Sequence, residues 1–299
     1  MNDSNYPSIS IVLPARNEAE SLQELLPALR AKFPHAQLLV VDDASSDNTA
    51  QLCEEHGAQR IANPYCMGNG AAIKRGARAA KGEIIVFMDA DGQHRPEHVE
   101  QLLHRFQAED LDMLVGARPL SAHASALRQM GNRFFNRLAS WMTNQRIEDL
   151  TSGLRVVRAD RFREFLHLLP NGFSYPTTST MAFFRSGYTV GYERVQVQQR
   201  QGTRSHLNIW REGTRFLLII FKIGAMYSPL KLFGPVSAGL FVLATALYAY
   251  TYGAEGRFTN MSALLYTTSL LTFLIGIVSE QITNLMFARR ERADSDDQA

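Results

Sequence analysis

Two uncharged apolar runs near the carboxyl end divide this 299-residue chain between two solvents. Leu232 to Tyr252 is 21 residues without Asp, Glu, Lys or Arg, and Ser262 to Ser279 is another 18, after which Glu280 intervenes and the apolar pattern resumes to Ala288. Each is long enough to cross a bilayer's hydrocarbon. Both are apolar on every face and only the turn Gly253 to Met261 joins them. That pattern predicts a membrane hairpin, the other reading being two buried core helices. Lys222 and Lys231 precede the first run and Arg289, Arg290 and Arg292 follow the second, so both flanks read as cytoplasmic and the turn as external. Glu280 inside the second span calls for a partner, and helix packing or a subunit contact explains it better than catalysis.

The remaining two thirds alternates differently. Ile9 to Leu13 is β-rich, Pro14 and Asn17 break it, and Leu22, Leu25, Leu26 and Leu29 follow at helical spacing. Leu38 to Val41 repeats the theme before the loop Asp42 to Asp47 and a helix from Thr49 to His56. Strands at Arg60 to Ala62, Ile84 to Met88 and Met113 to Gly116 then alternate with helices at Ala71 to Ala80 and Pro96 to Gln107. This rhythm predicts an α/β domain with a mostly parallel sheet and right-handed crossovers. Ligands of such sheets sit outside the strands' carboxyl ends, where Pro14, Asp43 and Asp89 fall.

Charge is informative in its placement rather than its sum of +2. From Met113 to Ile147 there are five arginines and no Asp or Glu, a stretch suited to an anionic surface or ligand. Within it Leu127, Met130, Phe134, Leu138 and Trp141 fall at helical spacing. That fits either a core-facing helix or one lying on anionic headgroups, and the downstream spans favour the second. Asn208 to Met226 reads similarly, as a juxtamembrane connector. Cys53 and Cys66 match neither a disulfide framework nor a zinc spacing, which suits a reducing compartment. The first residues have no basic segment followed by an apolar one, so no signal peptide is expected.

The chemistry concentrates in loops that follow strands. Asp89 and Asp91, in Phe87-Met88-Asp89-Ala90-Asp91-Gly92-Gln93-His94, stand where an apolar strand stops; on a period of two they point to one side, about 7 Å apart along the chain, within reach of one hydrated divalent cation. Alone, this also fits a solvated Asp-Gly turn. Pro14-Ala15-Arg16-Asn17-Glu18 and Val40-Val41-Asp42-Asp43-Ala44-Ser45 add two further polar loops on the same edge. His94 and His98, one helical turn apart, read as a solvated helix start rather than metal ligands. Gly68-Asn69-Gly70 reads as a turn and helix start, with phosphate binding the alternative; Lys74, Arg75 and Arg78 read as a solvated helix face.

These three loops together resemble those of family 2 glycosyltransferases with a glycosyltransferase A-type, Rossmann-like fold, and specifically the polyprenyl-phosphate branch typified by dolichol-phosphate mannosyltransferase. The resemblance runs from Ser8 to about His206, and the terminal hairpin fits the branch. It implies that Pro14, Arg16 and Glu18 hold the nucleotide's base and ribose, that Asp43 with Asp42 accepts hydrogen bonds from them, and that Ala90 gives a backbone contact. It implies Mg²⁺ or Mn²⁺ on Asp91 and Gln93, with Asp89 completing the site or positioning the diphosphate. Glu148-Asp149-Leu150-Thr151-Ser152-Gly153-Leu154-Arg155 is similar to the branch's Asp-x-Thr-Ser-Gly-Phe-Arg segment, with Leu154 replacing the aromatic; the resemblance puts Asp149 near the acceptor, where other branches use a general base. A lipid phosphate is already anionic and needs positioning and charge screening instead. Arg118 and Arg128 match phosphate-binding arginines of the branch. Arg200-Gln201-Gly202-Thr203-Arg204-Ser205-His206 resembles its Arg-x-Gly-x-Ser-Lys loop, so Arg200, Arg204 and Ser205 join the lipid-phosphate set, with His206 where lysine is usual.

The expectation is therefore a membrane-anchored, metal-dependent, inverting transferase moving a sugar from a UDP- or GDP-linked donor to undecaprenyl or dolichyl phosphate, without nucleic acid, as a homo-oligomer. Its organisation would be a catalytic domain over 1–206 with an interfacial helix at about 122–146, a juxtamembrane helix over 207–228, spans at about 230–252 and 262–287, and a disordered cytoplasmic tail over 289–299. A bacterial inner membrane, with the catalytic domain on the cytoplasmic face, is the expected setting. A processive polysaccharide synthase would carry a Gln-x-x-Arg-Trp segment and more spans, which this chain lacks. A non-catalytic sugar-nucleotide sensor would have no need of a second phosphate site. A Rossmann oxidoreductase would place Gly-x-Gly-x-x-Gly after the first strand, where Pro14 to Glu18 stands.

Overall fold

The computed structural model describes residues 8–118, 126–172, 174–196, 221, 224–225 and 228–296, without the side chains of 126–129, 132, 255 and 286–296. The chain forms two compact units, Met1–His206 and Leu207–Ala299. In the first, seven strands form one sheet: β1 (Ile9–Ala15), β2 (Gln37–Asp42), β3 (Gln59–Ala62), β4 (Ile84–Phe87), β5 (Met113–Ala117), β6 (Arg155–Arg158) and β7 (Val190–Arg194). Their order is β3-β2-β1-β4-β6-β5-β7. Ile11 to Leu13, Leu39 to Val41 and Ile85 to Phe87 are buried at every residue, as expected of parallel strands covered by helices on both faces. The covering helices are α1 (Ala19–Lys32), α2 (Thr49–Glu55), α3 (Asn69–Ala79), α4 (Pro96–Ala108), α5 (Ala126–Thr143), α6 (Ala159–Glu164) and α7 (Tyr175–Arg185). Leu22, Leu25, Leu26 and Leu29 form the buried stripe of α1.

Two departures from the sequence reading shape the site. Pro14 does not break β1, which continues to Ala15 in register with β2. Its missing N–H faces the β4 side, and β1–β4 pairing has already ended at Val12–Phe87, so no ladder bond is lost. The second departure is β6, which sequence periodicity did not reveal and which runs antiparallel between β4 and β5. Because Phe87 pairs with Arg155 and Val115 also pairs with Arg155, β6 begins where β4 and β5 end. The segment entering β6, Asp149 to Leu154, therefore arrives at the carboxyl edge of the sheet.

In the second unit, α8 (Pro229–Glu255) and α9 (Asn260–Asp296) form an apolar hairpin. Pro229–Ala254 and Asn260–Leu285 are each long and apolar enough to cross a membrane. Large apolar side chains such as Phe241, Val242, Leu264 and Leu271 are exposed, unlike those of soluble core helices. Ser237 and Ser269 tie the helices reciprocally, each Oγ donating to the other's carbonyl oxygen at 2.8 Å. Glu280 Oε2 accepts the Leu230 N–H at 3.3 Å, placing a carboxylate on the orphan amides at the start of α8. The tail expected to be disordered from residue 289 is instead helical to Asp296; Arg289, Arg290, Glu291 and Arg292 are good helix formers that extend α9.

Candidate active site

Five polar segments meet at the carboxyl edge. The loop after β1 and the loop after β2 are stapled together: Asn17 N donates to Ser45 Oγ at 3.0 Å, Ser46 N donates to Asn17 Oδ1 at 2.8 Å, and Ala19 N donates to Asp47 Oδ2 at 2.9 Å. Glu18 is the N-cap residue of α1. Pro14 is partly buried and Arg16 exposed, with Arg16 Nη1 2.9 Å from Cys66 Sγ.

Asp42 and Asp43 are consumed internally. Asp42 Oδ2 accepts from Arg60 Nε at 2.9 Å and Nη2 at 2.6 Å, while Oδ1 accepts from Ser45 N at 2.8 Å. Burial works against its charge, and the Ser45 and Arg60 donors overcome it to hold the carboxyl below the ordinary range. Asp43 Oδ1 accepts from Asn63 Nδ2 at 2.6 Å and Met67 N at 2.7 Å; Oδ2 accepts from Gly68 N at 2.9 Å and Cys66 Sγ at 3.3 Å. Here too burial opposes ionisation and the four donors outweigh it. Four bonds fill the carboxylate's acceptor positions. The weakest of the four is the Cys66 thiol.

Asp89, Ala90 and Asp91 follow β4 by two to four residues, since the strand ends at Phe87 and not Met88. Asp89, Asp91 and Gln93 line one cavity of about 250 Å³, with Asn69, Arg118, Thr151, Gly153, Gly172, Tyr175 and Pro176. Ala90 is buried beneath it. Gln93 N donates to Asp91 Oδ1 at 3.2 Å, turning the loop so that the side chains share one side. Gly153 makes the approach of β6 possible: a Cβ there would stand 2.2 Å from Asp89 Oδ2.

Arg118, at the end of β5, is gripped by Asp149. Its Nε donates to Oδ2 at 2.9 Å, its Nη2 to Oδ1 at 3.2 Å, and its own backbone N–H to Oδ2 at 3.2 Å; Nη2 also reaches Thr151 Oγ1 at 2.7 Å. Burial opposes the guanidinium charge, but Asp149, and then Asp89 and Asp91, keep it firmly protonated. Asp149 is buried; its desolvation is overcome by Arg118 and the Thr151 N–H, leaving it a carboxylate well below the usual range. A group so held orients a cation better than it accepts a proton.

Several site residues were not singled out from sequence. Arg155 is fully buried, donating to Ser152 O at 2.7 Å, Pro176 O at 3.1 Å and Ser179 Oγ at 2.7 Å, with its guanidinium 5.5 Å from the Tyr175 ring centroid. It binds the 152–153 wall of the cavity to the start of α7. Ser174 followed by Pro176 signals that helix start, since Ser174 Oγ accepts the Thr177 N–H. Gly70 serves neither a simple turn nor a phosphate cradle alone: its ideal Cβ would lie 2.0 Å from Pro170 O, so loop 169–172 packs directly on α3. Lys74, expected on a solvated face, donates to Leu169 O at 3.2 Å and pins that loop, and Arg75 Nη1 donates to Asn63 Oδ1 at 2.6 Å. His94 is likewise not solvated. It is 3% exposed with its Nδ1 unpartnered, and burial, His98 and Arg118 push its pKa down to about 4.

The donor chemistry at Asp89, Asp91 and Gln93 fits a hard divalent cation: all three offer oxygens, and they share the cavity. Among the described residues no three His, Cys, Asp or Glu come together as a metal-holding group. The Arg128 side chain and Arg200, Arg204, Ser205 and His206 lie outside the described residues, as does most of 207–228.

Residues 10–166 match the family model described as glycosyl transferase family 2, and residues 228–285 match that of the GtrB C-terminal hairpin. Among curated relatives, the chain is 25% identical to glycosyltransferase AglJ of Haloferax volcanii, covering 96% of this chain and 97% of that one. It is 25% identical to an undecaprenyl-phosphate 4-deoxy-4-formamido-L-arabinose transferase of Shewanella sediminis, over 97% and 92%. Against an undecaprenyl-phosphate mannosyltransferase of Micrococcus luteus it is 30% identical, over 51% and 67%. Glucosyl-3-phosphoglycerate synthase from Mycobacterium tuberculosis, solved with Mn²⁺, UDP and phosphoglyceric acid, superposes with a TM-score of 0.59 at 19% identity, over 73% of this chain and 78% of that one; that likeness concerns the fold. With the family model spanning more than half the sequence, this chain is a member of glycosyl transferase family 2.

Proposed function

We propose that the protein transfers a sugar, with inversion, from a nucleoside-diphosphate sugar to a polyprenyl phosphate at a membrane. The observation that carries this reading is the single cavity in which Asp89, Asp91 and Gln93 face Arg118. Transfer between two phosphates needs both anionic partners neutralised about the reacting carbon, and the residues lining this cavity, oxygen donors that fit a cation and a guanidinium, support that reading. The relatives named for undecaprenyl phosphate support the acceptor class.

In this reading Asp91, Gln93 and Asp89 hold Mg²⁺ or Mn²⁺, which would supply charge stabilisation to the departing diphosphate. Pro14, Arg16, Glu18 and Asp43, with the backbone of Ala90, receive the nucleoside, while Asp42 acts at a distance by fixing the loop through Arg60. Arg118 receives the acceptor phosphate, joined by Arg128, Arg200, Arg204 and Ser205. No base is required: the acceptor oxygen is already anionic, so Asp149 holds Arg118 in place and the work is alignment. Residues 1–206 form the catalytic part on the cytoplasmic face, α8 and α9 the anchor, and the exposed Met130, Phe134 and Trp141 of α5 rest in the headgroup layer of a bacterial inner membrane.

The test is direct. Membranes containing the protein are incubated with radiolabelled UDP- and GDP-sugars and polyprenyl phosphate. A chloroform-soluble, mild-acid-labile product that chelator abolishes is the expected result; none with any donor would defeat the proposal.

A further inference from the structure

Helix α5 presents two unlike faces. Met130, Phe134 and Trp141 lie on one side and are exposed, with exposed Arg133 and Arg137 beside them. The opposite side holds buried Ala139 and Met142, and from it Asn136 and Ser140 reach the segment leading to β6. Ser140 Oγ accepts the Ile147 N–H at 3.0 Å. Asn136 does more: its Nδ2 donates to the Glu148 carbonyl oxygen at 2.6 Å and its Oδ1 accepts the Leu150 N–H at 3.2 Å. One amide thus brackets Asp149 from both sides.

Asp149 in turn makes the paired contacts that fix the Arg118 guanidinium. An arginine side chain left to itself samples many rotamers, and here two other carboxylates, Asp89 and Asp91, line the same cavity. Fixing the backbone on either side of Asp149 settles which carboxylate wins.

We infer that Asn136 is a positioning residue for the acceptor phosphate, setting the place of Arg118 through the backbone around Asp149. The inference rests on the transfer reaction proposed above. The amide donates from Nδ2 and accepts at Oδ1 at once; alanine loses both bonds and aspartate loses the donor. The consequence is spatial as well. The helix whose outer face suits a bilayer is the helix whose inner face holds the acceptor's cation.

The experiment uses the full chain in vesicles carrying polyprenyl phosphate, with acceptor and donor KM measured separately and binding of the nucleoside diphosphate with Mn²⁺ followed by calorimetry. Asn136→Ala raises the acceptor KM about tenfold, in keeping with the cost of a small misplacement, while donor KM and nucleotide binding stay within about twofold. Asn136→Asp, which keeps the volume, shows the same selective change and decides the matter if the alanine variant does not fold. Ser140→Ala, which loses the bonds to the Asn136 carbonyl oxygen and the Ile147 N–H but leaves both bonds of the Asn136 side-chain amide in place, leaves the acceptor KM unchanged. An unaltered acceptor KM in both Asn136 variants, an equal rise for donor and acceptor, or the same selective rise in Ser140→Ala overturns the inference while the wild-type reaction stands. If the wild type makes no lipid-linked product with any donor, the functional proposal fails first and takes this one with it.

Discussion

Two pairs of carboxylates stand at the ends of β2 and β4, the strands on either side of β1 in one sheet, and they meet different surroundings. Asp42 and Asp43, at and after the end of β2, spend their acceptor capacity on Arg60, Ser45, Asn63, Cys66, Met67 and Gly68. Asp89 and Asp91, in the loop after β4, line an open cavity across from an arginine. Both pairs sit where α/β sheets bind ligands. What separates them is what surrounds them: the 60–68 segment folds over the first pair, while the second lines a cavity with Thr151, Gly153 and Arg118. Strand-end position is common to both; on the proposed function, the pair under the 60–68 segment builds the site and the pair lining the cavity binds.

The comparison breaks most visibly at Asp91. Asp91→Ala is expected to lower sugar transfer by about 10³-fold, the scale of a lost site for transition-state charge, with circular dichroism and thermal midpoint nearly unchanged. Loss of cooperative unfolding in that variant would place Asp91 among the builders. Asp42→Ala should do the reverse, destabilising the fold by about 2 kcal/mol in denaturant titrations, toward the low end for a broken pair because Arg60 keeps solvent contact.

Acid titration sharpens the contrast. The folded-state pKa of Asp149 is depressed, so its contribution to stability is complete above the unfolded value of about 3.9 and is lost as pH falls through the folded value. Asp149→Asn should flatten the fall of unfolding free energy as the pH drops below about 4; an unchanged slope would mean that the pairing with Arg118 contributes nothing. The smallest effect is expected at Cys66. Cys66→Ala removes the weakest of the four donors to Asp43 and should cost about 0.5 kcal/mol of stability, yet, on the proposed nucleoside role of Asp43, alter nucleoside-diphosphate affinity measurably, because it vacates an acceptor position on that carboxylate.

Much of this was legible in the residues and some was not. The parallel half of the sheet, the acidic loops and the apolar hairpin follow from periodicity and strand-end chemistry, which are local. Strand β6 was hidden because Arg155–Arg158 carries arginines at both ends and pairs antiparallel with strands far away in sequence. Burial of Arg155 and His94 was hidden for a related reason: a polar residue reads as solvated until tertiary partners such as Ser179 and Tyr175 surround it. Saturation of Asp43 depends on donors 20 to 25 residues away, including two backbone amides that no sequence pattern advertises.

Gly153 leaves Asp89 no room to share. Any side chain at that position would push on the carboxylate, so a larger residue there can be housed only if Asp89 is displaced or shortened.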